Sequence, residues 1–257
     1  MEGTRLEVLV VKMVRSGHRR LNWLKIKQLV PDQIDTVILP VGTIEAHGSS
    51  CIGTDNIIPE LIAGSIAERV NALVAPVLNY GITKSLYRYN GGVTINPDYY
   101  QLFVREILDS LADIGFANVI VMNGHGGNNA ALKEVAYEYH QEVLTNIAVV
   151  HWWQLCSDMT EEFSGHAGGH AGTDETAMVQ AIDESLVDED AYDPELAYYF
   201  RSGADIYPIP GTILLYKEGE GYPNFDLEQA KEYREKVIST VGDFVEMVLN
   251  RWRKFDL

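Results

Sequence analysis

The chain is short of cysteine, of positive charge and of long apolar runs, and each shortage argues against a class of function. Its 2 cysteines, Cys51 and Cys156, lie far apart and form no Cys-x-x-Cys pair. That pattern gives neither a zinc ribbon nor a dithiol redox motif, and it suits a reducing cytosol. Lys plus Arg number 20 against 37 Asp plus Glu, a net charge of −17. A field of that sign repels nucleic acid and anionic membranes, so neither is expected as a partner. No apolar run reaches the length of a membrane span. Residues 6–14 are apolar in part, but Lys12 interrupts them and Arg15, His18, Arg19 and Arg20 follow. The segment does not read as a secretory signal, and a cytoplasmic location is expected.

What is present is alternation. Thr36–Val41 (TVILPV) reads as a buried strand ending at Gly42. Residues 56–70 carry apolar side chains at 58, 62, 66 and 70, a helical stripe with Pro59 in its first turn. Residues 72–78 give the next strand. Asn96-Pro97 opens a helix with an apolar face of Tyr100, Phe103, Val104, Ile107, Leu111 and Ile114, stopped by Gly115. A strand over 119–122, a helix faced by Leu132, Val135 and Tyr139, and a strand over 147–150 follow. A helix starts after Thr173, and a last one spans 227–253 with Gly242 as its weak point. Helix and loop signals compete over residues 186–225. With 257 residues, 46% of them apolar, the expected fold is one α/β domain over residues 1–257, a mainly parallel sheet with helices on both faces. Ligands in such folds bind beyond the carboxyl ends of the strands.

Three glycine-rich stretches stand at or near such ends. Glu45-Ala-His47 follows the first strand, and in extended chain residues i and i+2 point the same way, so both side chains can enter one cavity. Asp55 heads the helix behind them, where a carboxylate can cap. Asn123-Gly-His125-Gly-Gly-Asn128 follows the third strand; its glycines permit a tight turn, and Asn128 or Asn129 can cap the helix after it. Gly165-His166-Ala-Gly-Gly-His170-Ala-Gly-Thr-Asp-Glu175-Thr leaves space around two histidines, either a ligand or a proton carrier, with Glu175 in a helix's first turn. Together these offer more oxygen and imidazole ligands than one ion needs, which points to a hydrolase with one divalent metal or, as the surplus favours, two. His140 reads as a solvated helix residue, His151 as lining a pocket or packing beneath it, and Trp152-Trp153 as core.

In combination these motifs resemble the creatininase (creatinine amidohydrolase) family, over roughly residues 20–250. The resemblance rests on Leu39-Pro-Val-Gly-Thr-Ile-Glu45-Ala-His47-Gly, Gly53-Thr-Asp55, Asn123-Gly-His125-Gly-Gly-Asn128 and His170-Ala-Gly-Thr-Asp-Glu175-Thr, in that order. It implies a creatininase-like α/β fold, a homo-oligomer (a hexamer built from dimers), and metal-dependent hydrolysis of cyclic amides, formamides and related small molecules. It also implies that Glu45, His47, Asp55 and His125 are metal ligands, with Asp55 bridging, that His170 is the catalytic histidine, and that Glu175 is a ligand or a catalytic base. Departures matter too. Gly48-Ser49-Ser50 replaces the usual Gly-Pro-His, and Gly126-Gly127 replaces the Tyr and ligand Glu of members that hydrolyse creatinine. Those members also carry Trp where this chain has His166. Glu175 is then the choice for the missing ligand, and Ser50, Gly126 and His166 are the expected substrate contacts.

The resulting expectation is a hydrolase of a C–N bond in a small non-peptide cyclic amide or formamide other than creatinine. It would use two divalent metals per chain, zinc by default, with manganese or iron also suited to a carboxylate-rich site. Alternatives are opening of a keto-cyclitol ring at a C–C bond, deformylation of a formamidopyrimidine nucleotide, and a metal-bound scaffold without turnover. A nucleotide would need a phosphate site, for which Lys84, Arg88 and Arg201 are scattered candidates.

Overall fold

The computed structural model describes residues 21–143 and 145–257. The reading of residues 6–20, His18 included, lies outside them. A short helix, α1 (Trp23–Leu29), leads into β1 (Thr36–Val41); α2 (Thr54–Ile66), β2 (Ala72–Val74), α3 (Pro97–Ile114) and β3 (Asn118–Asn123) follow. Then come α4 (Asn129–Glu142), β4 (Asn146–His151), α5 (Trp152–Leu155), α6 (Ser157–Ser164) and α7 (Thr173–Ile182). Residues 184–225 hold three short 3-10 turns and two strands, β5 (Ala197–Tyr199) and β6 (Ile213–Leu215), before the long α8 (Leu227–Phe255). No helix among the described residues is long and apolar enough to cross a membrane.

The main sheet has the order β2-β1-β3-β4 with every pair parallel. From β1 the chain steps outward to β2; from β2 it returns past β1 to β3 and continues to β4. Right-handed crossovers therefore put α2 on one face and α3 and α4 on the other. Helices α7 and α8 pack with α2, while α3 packs with α4. All six residues of β1 and of β3 are buried. That explains the apolar runs without alternation, since each buried Val, Ile or Leu stabilises by roughly 1.5–3 kcal/mol.

Several local expectations are corrected. The second strand stops at Val74, not at residue 78. Pro76 supplies no amide to the ladder, although Ala75 and Leu78 still donate to Ile38 and Pro40 of β1, at 2.9 and 3.0 Å. Pro40 is tolerated in an interior strand for a related reason. Its backbone faces the chain that follows β2, where Pro76 interrupts the amides and only the Pro40 carbonyl is used, accepting from Leu78. Phe103 and Ile114 are exposed, so the buried stripe of α3 is narrower, made of Tyr100, Val104, Leu108 and Leu111. Helix α8 runs unbroken through Gly242, where a Cβ would come 2.9 Å from an Arg69 guanidinium nitrogen. The glycine is a close-packing point against α2. Trp152 is core as expected, but Trp153 reaches the cavity described below.

Loops after β1 and after β3 leave in opposite directions, which opens a crevice at the carboxyl ends of these two strands. Val41 pairs with Asn123, so Gly42 and Gly124 sit side by side at its floor. The first turn of α2 drops into the crevice. A Cβ on Gly42 or Gly124 would lie 2.2 or 2.1 Å from the Asp55 carbonyl oxygen. Helix α2 also contains Pro59, which has no amide to offer that carbonyl. Gly124→Ala is expected to destabilise the fold by about 1–3 kcal/mol through overpacking. Gly64→Ala on the same helix, where a Cβ meets nothing within 4 Å, is expected to stabilise by up to about 1 kcal/mol. Urea unfolding of both variants checks the pair of opposite signs.

Candidate metal centre

Asp55 does not cap α2. Gly53 holds the N-cap position, and Asp55 is the second helical residue, with its carboxylate turned into the crevice. There its two oxygens meet two histidines from different loops. Oδ1 lies 2.9 Å from His47 Nε2, and Oδ2 lies 2.8 Å from His125 Nδ1. Glu45 Oε1 is 3.4 Å from His125 Nδ1 and 3.5 Å from His170 Nδ1, and Glu175 Oε2 is 3.7 Å from His47 Nε2. All six residues thus gather at the crevice although they span 131 positions of sequence, 45 to 175 inclusive.

The histidines are oriented from behind. His47 Nδ1 is 3.1 Å from the Glu45 carbonyl, His125 Nε2 is 3.0 Å from the Ile82 carbonyl, and His170 Nε2 is 2.8 Å from the Ala46 carbonyl. A carbonyl only accepts, so each of these ring nitrogens carries a proton. The opposite nitrogen of each ring faces the carboxylates, which is the tautomer that metal ligation uses. Glu175 is held by the Ala171 amide, which donates to its Oε2 at 2.7 Å.

Two asparagines lock the loops. Asn123 accepts from the His125 amide at 3.1 Å and donates to the His125 carbonyl at 2.9 Å, clamping the histidine's backbone. Asn128 accepts from the Ile82 amide at 3.0 Å and donates to the Gly42 carbonyl at 3.1 Å, tying together the loops after β1, β2 and β3. Asn128 holds the N-cap position of α4, but its side chain makes no capping hydrogen bond. Asn129 instead accepts from Asn123, as does His151 through Nδ1, both at 2.9 Å. The sequence signalled these residues only as asparagines beside glycines. Their reach across loops distant in sequence carries no local pattern.

The electrostatics follow from burial of many charges together. Burial alone would lower the pKa of His47, but Asp55, Glu175 and Glu45 outweigh it and hold it at about 10. His125, likewise buried, is held at about 9 by Glu45 and Asp55. Burial would raise Asp55, yet the two histidines pull it well below the usual carboxylate range. Burial pushes Glu175 up to about 8 and also raises Glu45. Burial and the neighbouring His47, whose ring lies 4.1 Å away, push His170 down to about 3, so that ring is neutral. The cluster demands positive charge between its carboxylates and imidazoles.

The donor set fits divalent cations. Ligand atoms of His47, Asp55 and Glu175 lie within 4.8 Å of one another, as do those of Glu45, Asp55 and His125, and Asp55 belongs to both groups. Glu45, His47 and His170 form a third such group. Asp55 Oδ2 is buried without a hydrogen-bond partner among the described residues, since His125 is near but misaligned. A buried anionic oxygen in that state is what a cation would satisfy.

A cavity of about 560 Å³ opens onto Glu45, Asp55, His125, His170 and Glu175. Gly126, Trp153, Phe200 and Tyr216 form part of its wall. Asp174 also lines it, a residue the sequence did not single out; burial pushes it up to about 6, and it accepts from the Gly169 amide at 2.9 Å. Ser50 and His166 are not among the lining residues. The Ser50 hydroxyl donates to Thr176 Oγ1 at 3.5 Å, and His166 Nδ1 lies 3.2 Å from the Ala167 carbonyl. Cys51 packs against the core and His140 is exposed.

A family model for creatinine amidohydrolase matches residues 19–217. A creatinine amidohydrolase of Pseudomonas putida is 31% identical, the match covering 75% of this chain and 84% of the relative. A mycofactocin precursor peptide peptidase of Mycolicibacterium smegmatis is 30% identical over 61% of this chain and 62% of its own length. Among solved structures, a zinc–zinc form of a mutant creatininase superposes with TM-score 0.74 at 22% identity, covering 90% of this chain and 96% of the other. A manganese creatininase gives 0.70 at 23%, covering 90% and 97%. At such identity the structural likeness is one of fold, and it agrees with the parallel sheet and its helical layers. The sequence match over most of its length carries the conclusion: this chain belongs to the creatininase family.

Proposed function

We propose that the chain hydrolyses a C–N bond in a cyclic amide or formamide other than creatinine, and that it uses two divalent cations. Zinc is the first choice, with manganese or iron as the alternatives a carboxylate-rich site accepts. His47, Asp55 and Glu175 would hold one ion, and Glu45, Asp55 and His125 the other. When bound, the ions activate water and polarise the substrate carbonyl. The observation that carries this reading is Asp55 itself, a buried carboxylate presenting one oxygen to each of two histidines. The relatives named as peptidases favour a second reading, a peptide amide handled by the same residues.

His170 moves the proton. Its Nε2–H is fixed on the Ala46 carbonyl, its Nδ1 is 3.5 Å from Glu45 Oε1, and its ring lines the cavity. A neutral ring so placed takes a proton at Nδ1 and passes it to the leaving nitrogen. Gly126 leaves the wall beside the ions open, since a Cβ there would meet only Trp153, at 3.8 Å. The substrate is therefore not gripped there as a Tyr side chain would grip it. We also propose a homo-oligomer, a hexamer by family resemblance. Tyr99, Leu102 and Phe103 form an exposed apolar face on α3 that a second copy would cover.

Metal analysis of the purified chain is expected to find about two ions, and Asp55→Ala to lose both along with activity. A full complement of metal in that variant would end the shared-ligand reading. His170→Ala is expected to lower kcat by about 10²–10⁴-fold while both ions remain. If one ion departs with the ring, His170 is a ligand and the proton role fails. Light scattering should report an oligomer that Leu102→Glu with Phe103→Glu dissociates, and a wild-type monomer would refute the interface.

A further inference from the structure

The cavity at the candidate metal centre is rich in carboxylates and has no lysine or arginine in its wall among the described residues. Glu45, Asp55, Glu161, Asp174 and Glu175 all line it. Lys84 and Arg201 line an adjoining chamber of about 620 Å³ instead, where Glu134 and Asp205 match them in number. The two chambers meet at Ser85, His125, Gly127, Phe200 and Ile209, which line both. The outer chamber is thus balanced in charge and the inner one is not. In the inner one, Glu45, Asp55 and Glu175 offset most of the charge that two divalent ions bring. Asp174 and Glu161 more than offset the remainder. Such a wall is ill suited to the phosphate of a nucleotide.

Asp174 is the unusual member of this set. An acidic composition accounts for carboxylates standing in water, but Asp174 is only 5% exposed. It belongs to none of the three groups of candidate ligand atoms. The Gly169 amide donates to its Oδ1 at 2.9 Å, and no side chain among the described residues hydrogen-bonds to either oxygen. Amides at the start of α7 favour the charged form, but dipoles supply no counter-charge, and a buried anion without one is costly. The loop above it is shaped to its carboxylate: a Cβ on Gly168 would lie 2.1 Å from Oδ2. Aromatic rings share the cavity. Trp153, Phe200 and Tyr216 line it, and the rings of Phe200 and Tyr216 lie 5.5 Å apart, tilted by 33°. A buried carboxylate beside aromatic faces attracts an organic cation, by charge at the one and by the ring quadrupole at the other.

We propose that Asp174 is the specificity-determining residue of this cavity, and that the substrate carries a positively charged nitrogen group, such as an amidinium, guanidinium or ammonium, which Asp174 binds and the rings of Phe200 and Tyr216 flank. The group is a second feature of the molecule, apart from the amide that is cleaved. Calling the ligand a substrate rests on the hydrolase reading; binding of the cation does not.

Calorimetry on the full chain, equilibrated with zinc, tests it with two probes of nearly equal shape, benzamidine and benzamide. The cationic benzamidine is expected to bind about tenfold or more tightly than the neutral benzamide. In Asp174→Asn, which keeps the shape of the side chain and its acceptor for the Gly169 amide, the preference should vanish. Tyr216→Leu alters an exposed side chain, so its fold is not at risk, and it should reduce the preference by about threefold. That second variant decides the matter if Asp174→Asn does not fold. Equal binding of the two probes, binding of neither, or a preference that both folded variants retain in full overturns the assignment. The hydrolase reading fails separately, on the metal analysis of Asp55→Ala, because the preference and its dependence on Asp174 are read without turnover.

Discussion

One buried carboxylate organises this molecule. Asp55 stands between His47 and His125, and the rest of the architecture is arranged so that it can. Burying charge is costly, several kcal/mol per ion even after relaxation, and three carboxylates sharing one crevice multiply that cost. Such a cluster persists only if cations sit among the anions. Protons on His47 and His125 serve in the metal-free state, with both groups held near 9–10, and divalent ions would replace those protons on binding. The site is thus better understood as a receptacle for positive charge than as a stabilising ion-pair network.

Its position follows from topology and from two missing side chains. A parallel sheet that changes winding direction leaves a crevice at its carboxyl edge. Gly42 and Gly124, neighbours across the β1–β3 ladder, let the first turn of α2 descend into it. Asn123 and Asn128 then hold the loops with hydrogen bonds that are buried and reciprocal, which is what fixes side chains contributed by separate loops. The irregular stretch between α7 and α8 has a complementary use. It places Phe200, Arg201 and Tyr216 over the rim, turning an open crevice into two joined chambers.

The regular elements were legible because their signals are local. The apolar runs of β1 and β3, the Asn96-Pro97 cap and the Gly115 stop of α3 all appear in the structure as read. Local composition says less where a distant partner decides. Asp55, Asn128 and Asn129 all have side chains that can cap a helix, and Asn128 does hold the N-cap position of α4, yet each spends its side chain on a residue of another loop or turn. Phe103 fits a helical stripe but faces outward, because the width of a buried face depends on what packs against it. Ser50 and His166 have the right neighbours in sequence, but their side chains turn to Thr176 and to Ala167.

Sequence alone determined the kinds of side chain at the site, their order and their placement beside strand ends, because residue type and periodicity are properties of short segments. It also carried family membership, which rests on several motifs in series. Tertiary structure decided which oxygen meets which nitrogen and which ring nitrogens are backed by carbonyls. It decided, too, that Glu175 comes to the histidine of the first loop, and that Lys84 and Arg201 share a chamber. Those outcomes depend on the angle and depth at which α2 and the loop after β5 settle against the sheet. They are set by close packing of atoms far apart in the chain, and no local pattern encodes them.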